Sequence, residues 1–72
     1  MTAIERISDH LRRVRPTALC DDCLSEVLDI RPRQQVQQKT SRLALEGGFK
    51  RYLGRCARCG PEWREKLVIR AA

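Results

Sequence analysis

A chain of 72 residues has room for one domain, and a core of that size supplies only a few kcal/mol of net stability, so an added staple is expected. Its 42% hydrophobic content is enough for a folded core, yet Phe49, Tyr52 and Trp63 are the only aromatic residues, which leaves Leu, Ile, Val and Ala to fill it. No run approaches the roughly 18 apolar residues of a membrane span and the opening Met1 to Arg6 lacks the apolar stretch of a signal peptide, so a membrane partner is excluded and the chain reads as cytosolic.

Ile4, Ile7, Leu11 and Val14 recur at helical steps and predict a first helix over residues 3–15, closed by Pro16. Thr17 then offers a cap or a short extended link. Cys20, Cys23, Leu24, Val27 and Leu28 predict a second helix over 20–30, with Asp21 and Asp22 near its start, where they suit the helix dipole and serve as caps. It must stop before Pro32.

A third helix is predicted over 33–46, with Pro32 at or just before its first turn and Gly47-Gly48 ending it. Val36, Thr40 and Leu43 share its inner side, with Ala44 at the margin, while Gln34, Gln38, Ser41 and Arg42 lie across from them. Two β-prone runs follow, Phe49 to Leu53 and Lys66 to Arg70, and read as an antiparallel hairpin. The chain has no internal repeat, low-complexity stretch or flexible linker.

Cys20-x-x-Cys23 and Cys56-x-x-Cys59 are the strongest signal. Two residues between cysteines let both sulfurs reach one ion, and two such pairs make the tetrahedral thiolate shell that Zn²⁺ prefers. Reduced thiols in the cytosol favour this over disulfides, with an iron–sulfur cluster and free buried cysteines as the remaining alternatives. Gly60 suits a tight turn aiming N–H groups at sulfur. A structural zinc would tie the second helix to the hairpin and fix the third helix between them.

His10 reads as structural, since four cysteines already complete a shell. No nucleophile, base and orienting group can be assembled, so an enzyme is not expected and no small-molecule substrate is evident. A redox or metal enzyme would need an exchangeable cysteine, which a closed four-thiolate shell denies.

The formal net charge is +6, falling to about +4 once four thiolates and one Zn²⁺ are counted. Its distribution is uneven: Asp21, Asp22, Glu26 and Asp29 crowd residues 20–30, whereas residues 31–60 hold Arg31, Arg33, Lys39, Arg42, Lys50, Arg51, Arg55 and Arg58 against Glu46 alone. One sign of charge gathered on one surface favours a polyanionic partner.

The order helix, link, helix, tight turn at Arg31-Pro32, helix, Gly47-Gly48 and basic hairpin resembles a winged helix-turn-helix domain. Residues 20–30 are similar to that family's second helix. The stretch Gln35 to Arg51, with its exit Leu45-Glu46-Gly47-Gly48-Phe49-Lys50, is similar to its recognition helix. The resemblance covers nearly the whole chain and implies an α+β fold, a three-helix winged helix-turn-helix with a C-terminal β-hairpin wing, here stapled by one structural zinc.

It also implies binding of double-stranded DNA, as in a small transcriptional regulator. The base-reading positions would fall on Arg33, Gln34, Gln37, Gln38 and Arg42, residue types that make two-bond contacts with guanine or adenine. Lys39, Lys50, Arg51, Arg55 and Arg58 would hold phosphates. Two alternatives stand beside it. One is a zinc ribbon carrying a helical insertion. The other is a zinc-stabilised protein–protein interaction module or homodimer, a reading that gains if acids interrupt the face of Arg33, Arg42, Lys50, Arg51 and Arg55.

Overall fold

The computed structural model describes residues 2–59 and 65–72, so the expected turn at Gly60 and Pro61 and the position of Trp63 lie outside the described residues. The fold is a small α+β arrangement of three helices and a three-stranded antiparallel sheet. In chain order it runs α1 (Ala3–Arg13), β1 (Leu19–Cys20), α2 (Asp21–Leu28), α3 (Arg33–Leu45), β2 (Phe49–Gly54) and β3 (Lys66–Ala71).

Helix boundaries follow local chemistry. Thr2 and Glu5 cap α1 reciprocally, the hydroxyl accepting from the Glu5 amide and the carboxylate accepting from the Thr2 amide. The helix ends at Arg13, two residues before the expected limit, with Val14 as its C-cap ahead of Pro16. Helix α2 also ends two residues before the expected Ile30. Asp29 turns left-handed at φ 53°, a conformation that Asp tolerates, and the Ile30 amide closes back on the Ser25 carbonyl at 3.0 Å. Pro32 is the N-cap of α3, and Gly47 at φ 81° takes the left-handed position after it, where a side chain would be strained.

Strand β1 replaces the expected link between the first two helices. It pairs with β3, Leu19 opposite Ile69 and Cys20 opposite Val68, giving the sheet order β1-β3-β2. The β2–β3 hairpin runs from Phe49 opposite Ala71 to Gly54 opposite Lys66.

Ile7 and Leu11 of α1, Leu24 of α2, Val36 and Leu43 of α3 and Ile69 of β3 are buried together with Leu19 and Phe49. Each such side chain contributes about 1.5–3 kcal/mol by leaving water. The inner side predicted for α3 is the one buried, with Val36 and Thr40 fully enclosed. Alternation along the hairpin sends Phe49, Arg51 and Ile69 toward the helices and Lys50, Tyr52 and Arg70 to the opposite face. Arg12 of α1 stands 5.4 Å from the centre of the Phe49 ring, a cation–π contact that holds the end of α1 on β2. No helix among the described residues is long and apolar enough to cross a membrane.

Candidate metal centre

Cys20 closes β1 and is the N-cap of α2, Cys23 lies in the first turn of α2, and Cys56 and Cys59 follow β2. The backbone brings the second pair to the first: the Ala57 amide donates to the Ala18 carbonyl at 3.0 Å and the Cys20 amide donates to Cys56 Sγ at 3.3 Å. All four sulfurs lie within 4.8 Å of one another, and none is in a disulfide. Cys20–Cys59, Cys23–Cys59 and Cys23–Cys56 are separated by 3.7, 3.5 and 3.5 Å. A tetrahedral shell with Zn–S bonds of about 2.3 Å has sulfurs about 3.8 Å apart, whereas a disulfide needs about 2 Å. The cluster therefore has the size of a four-thiolate metal site.

The sulfurs differ electrostatically. Burial pushes Cys20 up, the largest effect on it, and it does the same for Cys23 together with the thiol of Cys59. Burial acts on Cys56 too, but the amides of Cys20, Cys59 and Arg58 outweigh it and bring this thiol down to about 6. Cys56 is the sulfur prepared to be a thiolate at neutral pH. Lys66 donates to Cys59 Sγ at 3.5 Å. Partial desolvation lowers its pKa, but the sulfurs of Cys20 and Cys59 shift it upward overall. Three of the cysteines are buried and Cys59 is half-buried, so one edge faces solvent.

Comparison with protein-family models, with curated proteins and with solved structures finds no match. The function of the chain rests on its own geometry.

A second feature starts between the first two ligands. Asp21, buried at the head of α2, accepts from the Thr40 hydroxyl of α3 at 2.9 Å and pairs with Arg51 of β2 at 3.1 Å. Arg51 also donates to the Gln37 carbonyl, to Ser41 Oγ at 3.2 Å and, at close range, to Thr40. The start of α2 beside the cysteine cluster, α3 and the hairpin thus share one polar junction. In the sequence Asp21 reads as a helix cap and Arg51 as a phosphate contact; the fold turns the two toward each other.

The remaining bases divide. Arg33 pairs with Asp22, Arg58 with Glu26 at 2.7 Å and Arg31 with Asp29 at 3.5 Å. The acidic block of 20–30 and half of the basic block that follows are therefore partners of each other. Lys39, Arg42, Lys50 and Arg55 stand outside these ion pairs. Gln34, Gln37, Gln38 and Arg42 are exposed along α3. Lys39 and Arg42 border a depression between α1 and α3 that also holds Glu5 and Glu46. Lys50 lies on the other face of the sheet, opposite Arg70. His10, half-buried on α1, is not part of the sulfur cluster.

Proposed function

We propose that this chain is a zinc-stapled winged helix-turn-helix domain that binds double-stranded DNA. The observation that carries the reading is the two-sided α3. Val36, Thr40 and Leu43 are sealed against the domain, while Gln34, Gln37, Gln38 and Arg42 project from the other side with no ion-pair partner among the described residues. A helix in the major groove reads base edges with these residue types. The element order α1-β1-α2-α3-β2-β3, with β2 and β3 as the wing, supports the same reading. Zinc is the metal that suits four thiolates in a closed tetrahedron.

The mechanism follows from how α3 is held. Cys20, Cys23, Cys56 and Cys59 would hold the ion, which supplies a fixed link between the start of α2 and the loop after β2. Asp21, rooted between two of the ligands, holds Thr40 and Arg51 and sets the angle of α3 against the hairpin. Lys39, Lys50 and Arg55 supply phosphate contacts. Arg51 leaves that set because its guanidinium faces inward, and Arg33 and Arg58 join it only by releasing Asp22 and Glu26.

A salt series of binding to random duplex DNA tests this, using metal-loaded protein and the double variant Gln38→Ala, Arg42→Ala. Contact with three phosphates gives a log–log salt slope of about −3, and the double variant weakens binding. Absence of binding at low salt removes the proposal. The second reading, a zinc-stabilised protein-interaction module, is favoured by a specific observation. Acids occupy Arg33, Arg51 and Arg58, and Leu45 at 87% and Leu53 at 66% exposure offer apolar contacts instead.

A further inference from the structure

The face of the sheet turned away from α3 carries a feature that base reading by α3 does not use, although Lys50, a phosphate contact in that reading, lies on it. Lys50 and Arg70 are directly opposed across the β2–β3 ladder. Like charges at such a pair repel and cost stability unless an anion lies over them. Neither has an acidic partner among the described residues, and the other hairpin positions on this face are Tyr52, Gly54, Lys66 and the buried Val68, none of them acidic. Alongside the two bases, Tyr52 is directly opposite Val68 and 40% exposed. Its ring leans along the strand over Gly54, so that a Cβ placed there would stand 2.8 Å from Cε2. Glycine at 54 is what lets the ring lie down on the sheet. An open depression of about 700 Å³ borders Tyr52, Lys50 and Arg70 and reaches round the edge strand to Phe49.

We infer that this face is a platform for single-stranded nucleic acid, with a base stacked on Tyr52 and the adjoining phosphates on Lys50 and Arg70. An aromatic ring held against a sheet stacks any base, and flanking cations follow the backbone without reading sequence. Charge complementarity selects a polyanion, and the ring selects one with unpaired bases. A duplex hides its base faces, and an acidic peptide has none. The depression touches α3 at Ala44, but Gln34, Gln37, Gln38 and Arg42 do not line it, so base reading and stacking are testable apart.

The experiment is fluorescence anisotropy of a labelled short oligothymidylate with the metal-loaded full chain. Duplex DNA and polyglutamate serve as competitors. Tyr52→Ala weakens oligothymidylate binding at least about fivefold, Tyr52→Phe retains it, and Lys50→Ala with Arg70→Ala weakens it and flattens the salt slope by about 1.4. Gly54→Ala, which keeps every binding group and only displaces the ring, weakens it as well. The double variant Gln38→Ala, Arg42→Ala leaves it unchanged. Thermal melts of each variant separate loss of binding from loss of fold, and Tyr52→Phe controls for the ring itself.

The inference is overturned if oligothymidylate does not bind, if a folded Tyr52→Ala binds like the parent, or if polyglutamate competes as well as the oligonucleotide does. It is also overturned if the α3 variant loses both ligands together. Loss of duplex binding alone in that variant supports two separate surfaces, and failure of the parent to bind duplex at all removes the α3 proposal while leaving this one standing.

Discussion

Arg51 and Asp21 form an ion pair with both partners nearly sealed from water, the two side chains being 11% and 7% exposed and 3.1 Å apart. The pair joins β2 to the first residue of α2, and Thr40 brings α3 into it. Removing one partner strands the other charge in a poorly solvated site. Arg51→Met or Asp21→Ala is expected to destabilise the metal-loaded protein by about 3–5 kcal/mol, whereas removing both residues costs less than the sum. A double-variant cycle measured by urea unfolding checks the coupling; additive effects would mean the pair does not act as a unit.

Arg33 and Asp22 make a contrasting pair, half-exposed on both sides. Such a pair contributes at most about 1 kcal/mol. Asp22→Asn is therefore expected to leave the melting temperature nearly unchanged while freeing Arg33 at the start of α3. If α3 lies on DNA, duplex affinity rises and the salt slope steepens by about 0.9, one further phosphate contact. Unchanged binding would show that Arg33 faces away from the nucleic acid.

Metal removal tests the cluster. Elemental analysis is expected to give one zinc per chain, and a strong chelator is expected to lower the melting temperature sharply, because the binding energy of a structural zinc, about 10–16 kcal/mol, is also folding energy. Cys20→Ser, Cys23→Ser, Cys56→Ser and Cys59→Ser should each reproduce the loss. A chelator-treated protein that melts like the untreated one would exclude a structural ion.

The unequal thiols give a pH dependence. In reduced, metal-free protein one thiolate is expected to appear near pH 6, followed by its ultraviolet absorbance, and Cys56→Ser should abolish that step. Since the folded pKa lies below the ordinary 9.0, the metal-free fold gains stability from Cys56 as pH rises from about 6 toward 9 and loses it as pH falls through about 6. Cys20 and Cys23 shift the other way, so at neutral pH an incoming ion displaces their protons and metal affinity climbs with pH. A first ionisation above pH 8 would contradict the assignment.

The helices, the hairpin and the cysteine cluster are legible in the sequence because each rests on a local rule. Helical spacing places Ile7, Leu11, Val36 and Leu43 inside, Pro16 and Gly47 punctuate the chain, and the Cys-x-x-Cys spacing defines a site whatever lies between its halves. The capping box of Thr2 and Glu5 was equally local and extends the same logic. Strand β1 is different. Leu19 and Cys20 are too few for any periodicity, and they become a strand only because Ile69 and Val68 lie beside them. The direction of long cations is hidden for the same reason. Arg51 and Lys50 are neighbours in sequence and both basic, yet the pleat sends one to a buried carboxylate and the other to solvent, and nothing local marks Asp21 as the residue waiting for it.

The separation of the ligand pairs bears on how the molecule is made. Cys56 follows Cys23 by 33 residues, and Cys59 follows it by 36. Cys20 and Cys23 by themselves therefore make only a half-shell of two sulfurs until the loop after β2 folds back onto them. Tight capture of an ion would need the second pair, and bringing it in also brings Arg51 of β2 to Asp21. If an ion fills the cluster, its uptake would act as a checkpoint on assembly, because the loop it closes contains the whole of α3.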